Sequence, residues 1–145
     1  MGNSNTKIGG NPSNELADGK FLKDIQLSDD HFEVKNGRVY LKDKETSGLI
    51  AFYAPWCHFC VELAPAWNKY AKEMNTSSFK FLAVDCTSDK CQKIVETLNI
   101  TGFPTIKYID QKTGEVVSTD NRDGSKLNRS KEGIMAFLKQ KKVIH

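Results

Sequence analysis

The stretch FYAPWCHFCVELAPAW, residues 52–67, sets Cys57 and Cys60 three positions apart, between an apolar aromatic run and a segment with helical periodicity. Such a pair can serve as half of a metal site, as a structural staple or as a couple that exchanges disulfides. Zinc needs four ligands. His58 lies inside the Cys-x-x-Cys loop, His31 and His145 are isolated in the sequence, and Cys86 and Cys91 stand at an unusual offset for a zinc knuckle. No metal and no other cofactor is expected. The redox reading has a physical cause, because at a strand-to-helix junction the first sulfur lies near helix N-terminal amides that stabilise a thiolate. The second sulfur, one turn into the helix, stays a thiol until it attacks a mixed disulfide formed at the first. Cys57 is therefore the candidate nucleophile and Cys60 the candidate resolving thiol.

The flanking sequence predicts the elements that hold the pair. GLIAFYA, residues 48–54, is a continuous apolar run after a glycine, the mark of a strand buried on both faces. Cys60 to Met74 fits an amphipathic helix that Pro65 should kink. FKFLAVD, residues 79–85, predicts a second buried strand, and CQKIVETLN, residues 91–99, a short helix ended by Asn99. PTIKYI and EVVST, joined by DQKTG, predict two more strands, and residues 130–142 a closing helix. Upstream, FEVKNGRVYL alternates around Asn36-Gly37 and predicts a hairpin, with a short helix capped by Ser28 at LSDDHF before it. The fold class is α/β.

At 145 residues, 39% hydrophobic and 27% charged, the chain suits one domain with one core. Residues 1–19 form a polar lead-in that reads as a flexible tail, and 20–145 the domain. The net charge of +3 is spread along the chain with no basic stripe, so nucleic acid is not an expected partner. The longest apolar run, Gly48 to Trp56, is far shorter than the ~20 residues a membrane span needs. Met1-Gly2-Asn3-Ser4-Asn5-Thr6 fits the pattern that directs a myristoyl chain onto Gly2, against the plain alternative of an unmodified polar tail. A single acyl chain would anchor only reversibly, and membrane contact is expected only if Gly2 carries it. With neither a signal peptide nor a retention tail in the sequence, the expectation is an intracellular protein, lipid-tethered or virus-associated.

Four features together resemble the thioredoxin superfamily, and within it the catalytic domains of protein disulfide isomerases. These are FYAPWC before the pair, Pro65 five residues after Cys60, VDCT closing the next strand, and GFPTIKY at residues 102–108. The resemblance implies a thioredoxin-like fold, a mixed central β-sheet flanked by helices, here with an N-terminal extension. It implies a cis peptide at Pro104 whose preceding backbone faces the redox sulfurs and can pair with an extended substrate. Trp56, Phe103 and Pro104 would flank that substrate. Proteins or peptides with cysteines are the implied partners, with glutathione or a reductase or oxidase turning the couple over. Cys86 and Cys91 match positions that some members bridge with a structural disulfide, preferred here over a second catalytic pair; in a reducing compartment both stay thiols.

Three positions depart from or qualify that pattern. His58-Phe59 stands where isomerases place Gly then His, which moves the imidazole by one position and alters how Cys57 is tuned. Ala51 matches a buried carboxylate that accepts the proton of the resolving cysteine, so deprotonation of Cys60 should be slow unless water, His58 or Glu62 substitutes. Arg129 matches an arginine that can approach the resolving cysteine, or is simply exposed at a helix start.

Two functions follow. The first is a thiol-disulfide oxidoreductase of the disulfide isomerase or thioredoxin kind, working through a Cys57 mixed disulfide that Cys60 resolves. The second is a peptide-binding, chaperone-like module using the Trp56 and Pro104 groove with weak redox activity. Two intact thiols favour the enzyme.

Overall fold

A computed structural model describes residues 20–76 and 78–119. The predicted tail at 1–19 with Gly2, and the predicted helix at 130–142 with Arg129 before it, lie outside the described residues.

The apolar run becomes β3, Ser47–Tyr53, buried at all seven positions. It is the centre of a four-stranded sheet ordered β4-β3-β5-β6, where β4 is Phe79–Asp85, β5 Thr105–Ile109 and β6 Val116–Ser118. β4 runs parallel to β3, β5 antiparallel to β3, and β6 antiparallel to β5. A strand flanked on both edges and covered on its faces has no water-facing side, which is why β3 shows no alternation. Gly48 is required within it: at φ 154° a Cβ there would run into the carbonyl of Lys80 on β4.

The predicted hairpin is β1, Phe32–Lys35, and β2, Arg38–Leu41. Asn36 and Gly37 turn it with φ of 53° and 75°, the paired positive values of a two-residue turn whose twist matches that of its strands. Leu41 N–H donates to the carbonyl of Gly114 at 2.9 Å, tying the hairpin to the β5–β6 turn.

Helix α1, His58–Met74, links β3 to β4 and begins two residues before the predicted start at Cys60. Cys57 is its N-cap with extended backbone, and the Cys57 carbonyl already accepts from Val61 N–H at 3.0 Å. Pro65 sits inside the helix without ending it. The buried face of α1 holds the core together: Trp67 meets Phe81 edge-on at 5.1 Å, and its indole N–H donates to the Leu82 carbonyl at 3.0 Å.

The single helix expected at 91–99 is shorter and divided. Ser88 Oγ accepts from Lys90 N–H and starts a 3-10 turn at Asp89–Cys91, which runs into α2, Gln92–Thr97, before Asn99 reverses the chain at φ 53°. The carboxylate of Asp29 accepts from the amides of Lys93 and Ile94 at 3.1 and 3.0 Å, satisfying first-turn donors of α2 from across the fold. The short helix at LSDDHF is a 3-10 turn, Asp29–His31, where Ser28 N–H donates to His31 Nδ1 at 3.0 Å.

Ahead of these elements, Lys23–Ile25 form another 3-10 turn, and Gln26 bridges Ala83 in parallel beside β4. Asn68, fully buried on α1, fastens this segment: its Oδ1 accepts from Leu22 N–H at 3.0 Å and its Nδ2 donates to the Lys20 carbonyl at 2.7 Å.

Candidate active site

β3 delivers the chain to the sheet's edge, and the Cys57 amide donating to the Ala54 carbonyl at 3.0 Å turns it into α1. Cys57 thereby caps the helix, surrounded by first-turn amides that have no intrahelical acceptor. Three positions on, Cys60 is 1% exposed while Cys57 is 8%, so the first sulfur is the more accessible of the two. The predicted nucleophile and resolving thiol are thus brought together at one helix terminus.

The other side of the site comes from the loop before β5. The Phe103–Pro104 peptide is cis, and the Cys57 thiol donates to the Phe103 carbonyl at 3.5 Å. Thr105 Oγ donates to the Gly102 carbonyl at 2.6 Å, bracing that loop against the strand it enters. Trp56 stands over the loop, 73% exposed, its ring edge-on to Phe103 at 5.8 Å. Trp56, Cys57, Phe103 and Pro104, distant in sequence, therefore form one surface.

The two residues between the cysteines both point outward. Phe59 is 63% exposed, packed edge-on against the His58 ring at 5.7 Å. His58 Nε2 lies 3.3 Å from Glu62 Oε1 one turn along, so the Glu62 carboxylate is engaged with the imidazole on the surface. Ala51 is fully buried in mid-β3, between Ala83 and Ile106 of the neighbouring strands. No proton acceptor is supplied from that position.

Cys86 and Cys91 are buried thiols in this structure. The Cys86 sulfur lies 3.9 Å from the Val84 carbonyl and the Cys91 sulfur 3.4 Å from the Leu27 carbonyl. Burial first, then the neighbouring Cys91 and Asp85, push the Cys86 thiol up to about 12; burial likewise raises Cys91. Such thiols are poor nucleophiles near neutrality. Among the described residues no group of three or more His, Cys, Asp or Glu side chains gathers as a metal site, and no helix is long and apolar enough to cross a membrane.

Sequence reasoning passed over Tyr53, Pro55 and Val61, which line a cavity beside α1. Val61 carried the signal: an apolar residue at a helix position that lies outside the buried stripe, 40% exposed. Tyr53 stacks on Phe21 with ring centroids 4.3 Å apart, and burial pushes its hydroxyl up to about 12.

The sequence model of the family described as Thioredoxin matches residues 25–140. A mitochondrial thioredoxin domain-containing protein of Schizosaccharomyces pombe is 40% identical over 106 residues, 72% of this chain and 28% of that protein. The protein disulfide-isomerase A6 homolog of Drosophila melanogaster is 30% identical over 119 residues, 82% of this chain and 25% of its own length. Human protein disulfide-isomerase A6 is 39% identical over 90 residues, 60% of this chain and 19% of that protein. The chain thus spans between about a fifth and just over a quarter of these relatives. Among solved structures, thioredoxin f2 of Chlamydomonas reinhardtii superposes with a TM-score of 0.56 at 20% identity, over 83% of this chain and 98% of its own. Human ERp44 does so at 0.58 and 23%, over 86% of this chain and 32% of its own. These two likenesses establish the fold.

Proposed function

The chain belongs to the thioredoxin family, and from that premise we propose that it is a thiol-disulfide oxidoreductase acting on cysteine-containing polypeptides. The observation that carries the reading is Cys57 at the N-cap of α1, with Cys60 in the first turn behind it and the Phe103 carbonyl 3.5 Å from its sulfur. In the reducing direction, the Cys57 thiolate attacks one sulfur of a substrate disulfide. A Cys57–substrate disulfide forms, and the other substrate sulfur leaves as a thiolate that takes up a proton. Cys60 then loses its proton and attacks Cys57, which releases the second substrate thiol and leaves a Cys57–Cys60 disulfide. Two electrons have passed to substrate; glutathione or a partner dithiol restores them. Run backwards, the same steps oxidise a substrate dithiol.

The groove between Trp56 and the Phe103–Pro104 loop receives the substrate as an extended strand, backbone against backbone, so side chains are tolerated broadly. Resolution is the slow half, since Ala51 offers no base and Glu62 is held by His58. Slow resolution lengthens the life of the mixed disulfide, and this observation also favours a second reading, a module that holds its clients more than it turns them over.

Replacing Cys60 by Ser tests the function. Cys60→Ser accumulates a covalent Cys57–substrate adduct with a reduced-and-reoxidised model protein, visible as a band that thiols dissolve. Cys57→Ser accumulates none. An equal yield of adduct from both variants, or none from either, removes the enzyme reading.

A further inference from the structure

On the flank of α1, reached from Cys57 through Val61, whose amide donates to the Cys57 carbonyl, the described residues line an open cavity of about 620 Å³, within the ~300–1,000 Å³ range of ligand pockets. The stacked rings of Phe21 and Tyr53 and the side chain of Leu27 give it apolar walls, and Cys91 closes it on one side. Pro55 and Val61 form its lip. Both are exposed, and both adjoin the reactive centre in sequence: Pro55 precedes Trp56, and Val61 follows Cys60. Trp56, Phe59 and Val61 are exposed at 73%, 63% and 40% and flank Cys57 in sequence; exposed apolar side chains of this size mark a contact surface.

The rim has a sign. Lys23 and Lys90 are exposed at its edge, and neither forms an ion pair with a described residue. The one carboxylate inside, Asp85, accepts from the amide and the hydroxyl of Thr87 at 2.9 and 2.6 Å and is turned to its own loop. An acidic group entering at the rim therefore meets two cations, Lys23 and Lys90, that form no ion pair with a described residue, while an apolar group goes deeper.

We propose that this cavity is a substrate subsite, which takes an apolar side chain of the polypeptide reacting at Cys57 when an acidic residue lies beside it. The proposal rests on the oxidoreductase reading and deepens it. Backbone pairing at the Phe103–Pro104 loop is indifferent to sequence; this pocket supplies the preference. The reacting cysteine sits at the helix N-cap, and the apolar residue follows the strand over Pro55 and Val61.

The test uses pairs of synthetic peptides whose cysteine is a mixed disulfide with a chromogenic aromatic thiol. Within a pair, one residue at a stated offset from the cysteine is Leu or Ser, and its neighbour is Glu or Lys. Below saturation, the Leu-Glu peptide at one offset reacts roughly tenfold faster than the Ser-Glu peptide, the worth of burying one such side chain. In Val61→Glu that ratio falls toward one, and Lys23→Glu with Lys90→Glu reverses the Glu-over-Lys preference. No preference at any offset, or a preference unchanged in Val61→Glu, overturns the subsite.

The chromogenic disulfide alone separates the two readings: if the protein does not reduce it, the oxidoreductase reading fails by itself. Binding is then followed through the Val61 methyl resonances, using the same peptides with Ser in place of Cys. Shifts with the Leu-Glu peptide sustain the subsite; none, or shifts that depend on protein concentration with no peptide present, overturn it in favour of an empty groove or of a second copy of the chain.

Discussion

The sulfur of Cys57 lies 3.5 Å from the carbonyl oxygen of Phe103, forty-six residues away. That carbonyl belongs to the peptide joined in cis to Pro104, and in the proposed function it lies beside the backbone with which a substrate strand pairs while its own sulfur meets Cys57. A single contact thus joins the chemical centre to the binding surface. Trp56, edge-on to Phe103 at 5.8 Å, extends that surface, and Trp56→Ala is expected to lower the rate of mixed-disulfide formation with a polypeptide by roughly tenfold. Stopped-flow fluorescence against an oxidised model protein measures it.

Thiol reactivity should sort the four cysteines. Burial holds Cys86 up to about 12 and raises Cys91, so iodoacetamide at neutral pH leaves both unmodified long after Cys57 is alkylated. Peptide mass mapping against time reads the order. Labelling of Cys86 that keeps pace with Cys57 would contradict the burial on which its inert role depends.

Stability should fall in alkali. The ordinary Cys86 value of 9.0 is pushed up to about 12, and that of Tyr53 from 10.0 to about 12; burial raises Tyr108 and Cys91 too. Above pH 9 the unfolded chain releases protons that the folded chain keeps. Fewer protons bound in the unfolded state make stability decline with rising pH. These groups' contribution is therefore whole below about pH 9 and lost as pH climbs to about 12, which urea midpoints taken from pH 7 upward will follow.

Gly48→Ala should cost about 3 kcal/mol or more, because the added methyl meets the Lys80 backbone of a neighbouring strand that cannot yield without breaking the β3–β4 ladder. Urea denaturation measures it.

Ala51→Asp is expected to act in opposite senses on rate and stability. A carboxylate there offers a base that Ala51 does not, and resolution of the mixed disulfide should speed by roughly tenfold or more. Between Ala83 and Ile106 the same charge is buried without a partner and should cost on the order of 3 kcal/mol. Quenched-flow trapping of the mixed disulfide and urea denaturation give the two readings.

Much of this site could be read from residue order alone, because its signals are local. Cys57 and Cys60 share one turn, the apolar run at residues 48–54 that becomes most of β3 needs no partner to be recognised, and Asn36-Gly37 demands positive φ whatever surrounds it. What escaped was set by distant partners. Asn68 looks like an ordinary helix polar residue, and only the Leu22 amide and the Lys20 carbonyl make it a buried clamp. Asp29 lies in the LSDDHF segment, yet its carboxylate serves the amides of Lys93 and Ile94. The start of α1 was placed two residues late because apolar periodicity begins at Cys60, while the cap is decided by the Cys57 backbone. The cavity at Tyr53, Pro55 and Val61 is completed by Phe21, Leu27 and Cys91 from distant segments, so no window of sequence contains it.

The central claim is that Cys57 and Cys60 form one redox couple. The protein would be equilibrated across a glutathione series, quenched with acid and alkylated, and the state of each cysteine read by mass. The account predicts that Cys57 and Cys60 oxidise together in a two-electron transition with a midpoint between about −270 and −180 mV, the span from thioredoxin to disulfide isomerase. If these two sulfurs stay reduced across the series, or only Cys86 and Cys91 titrate, the couple lies elsewhere and the account is wrong.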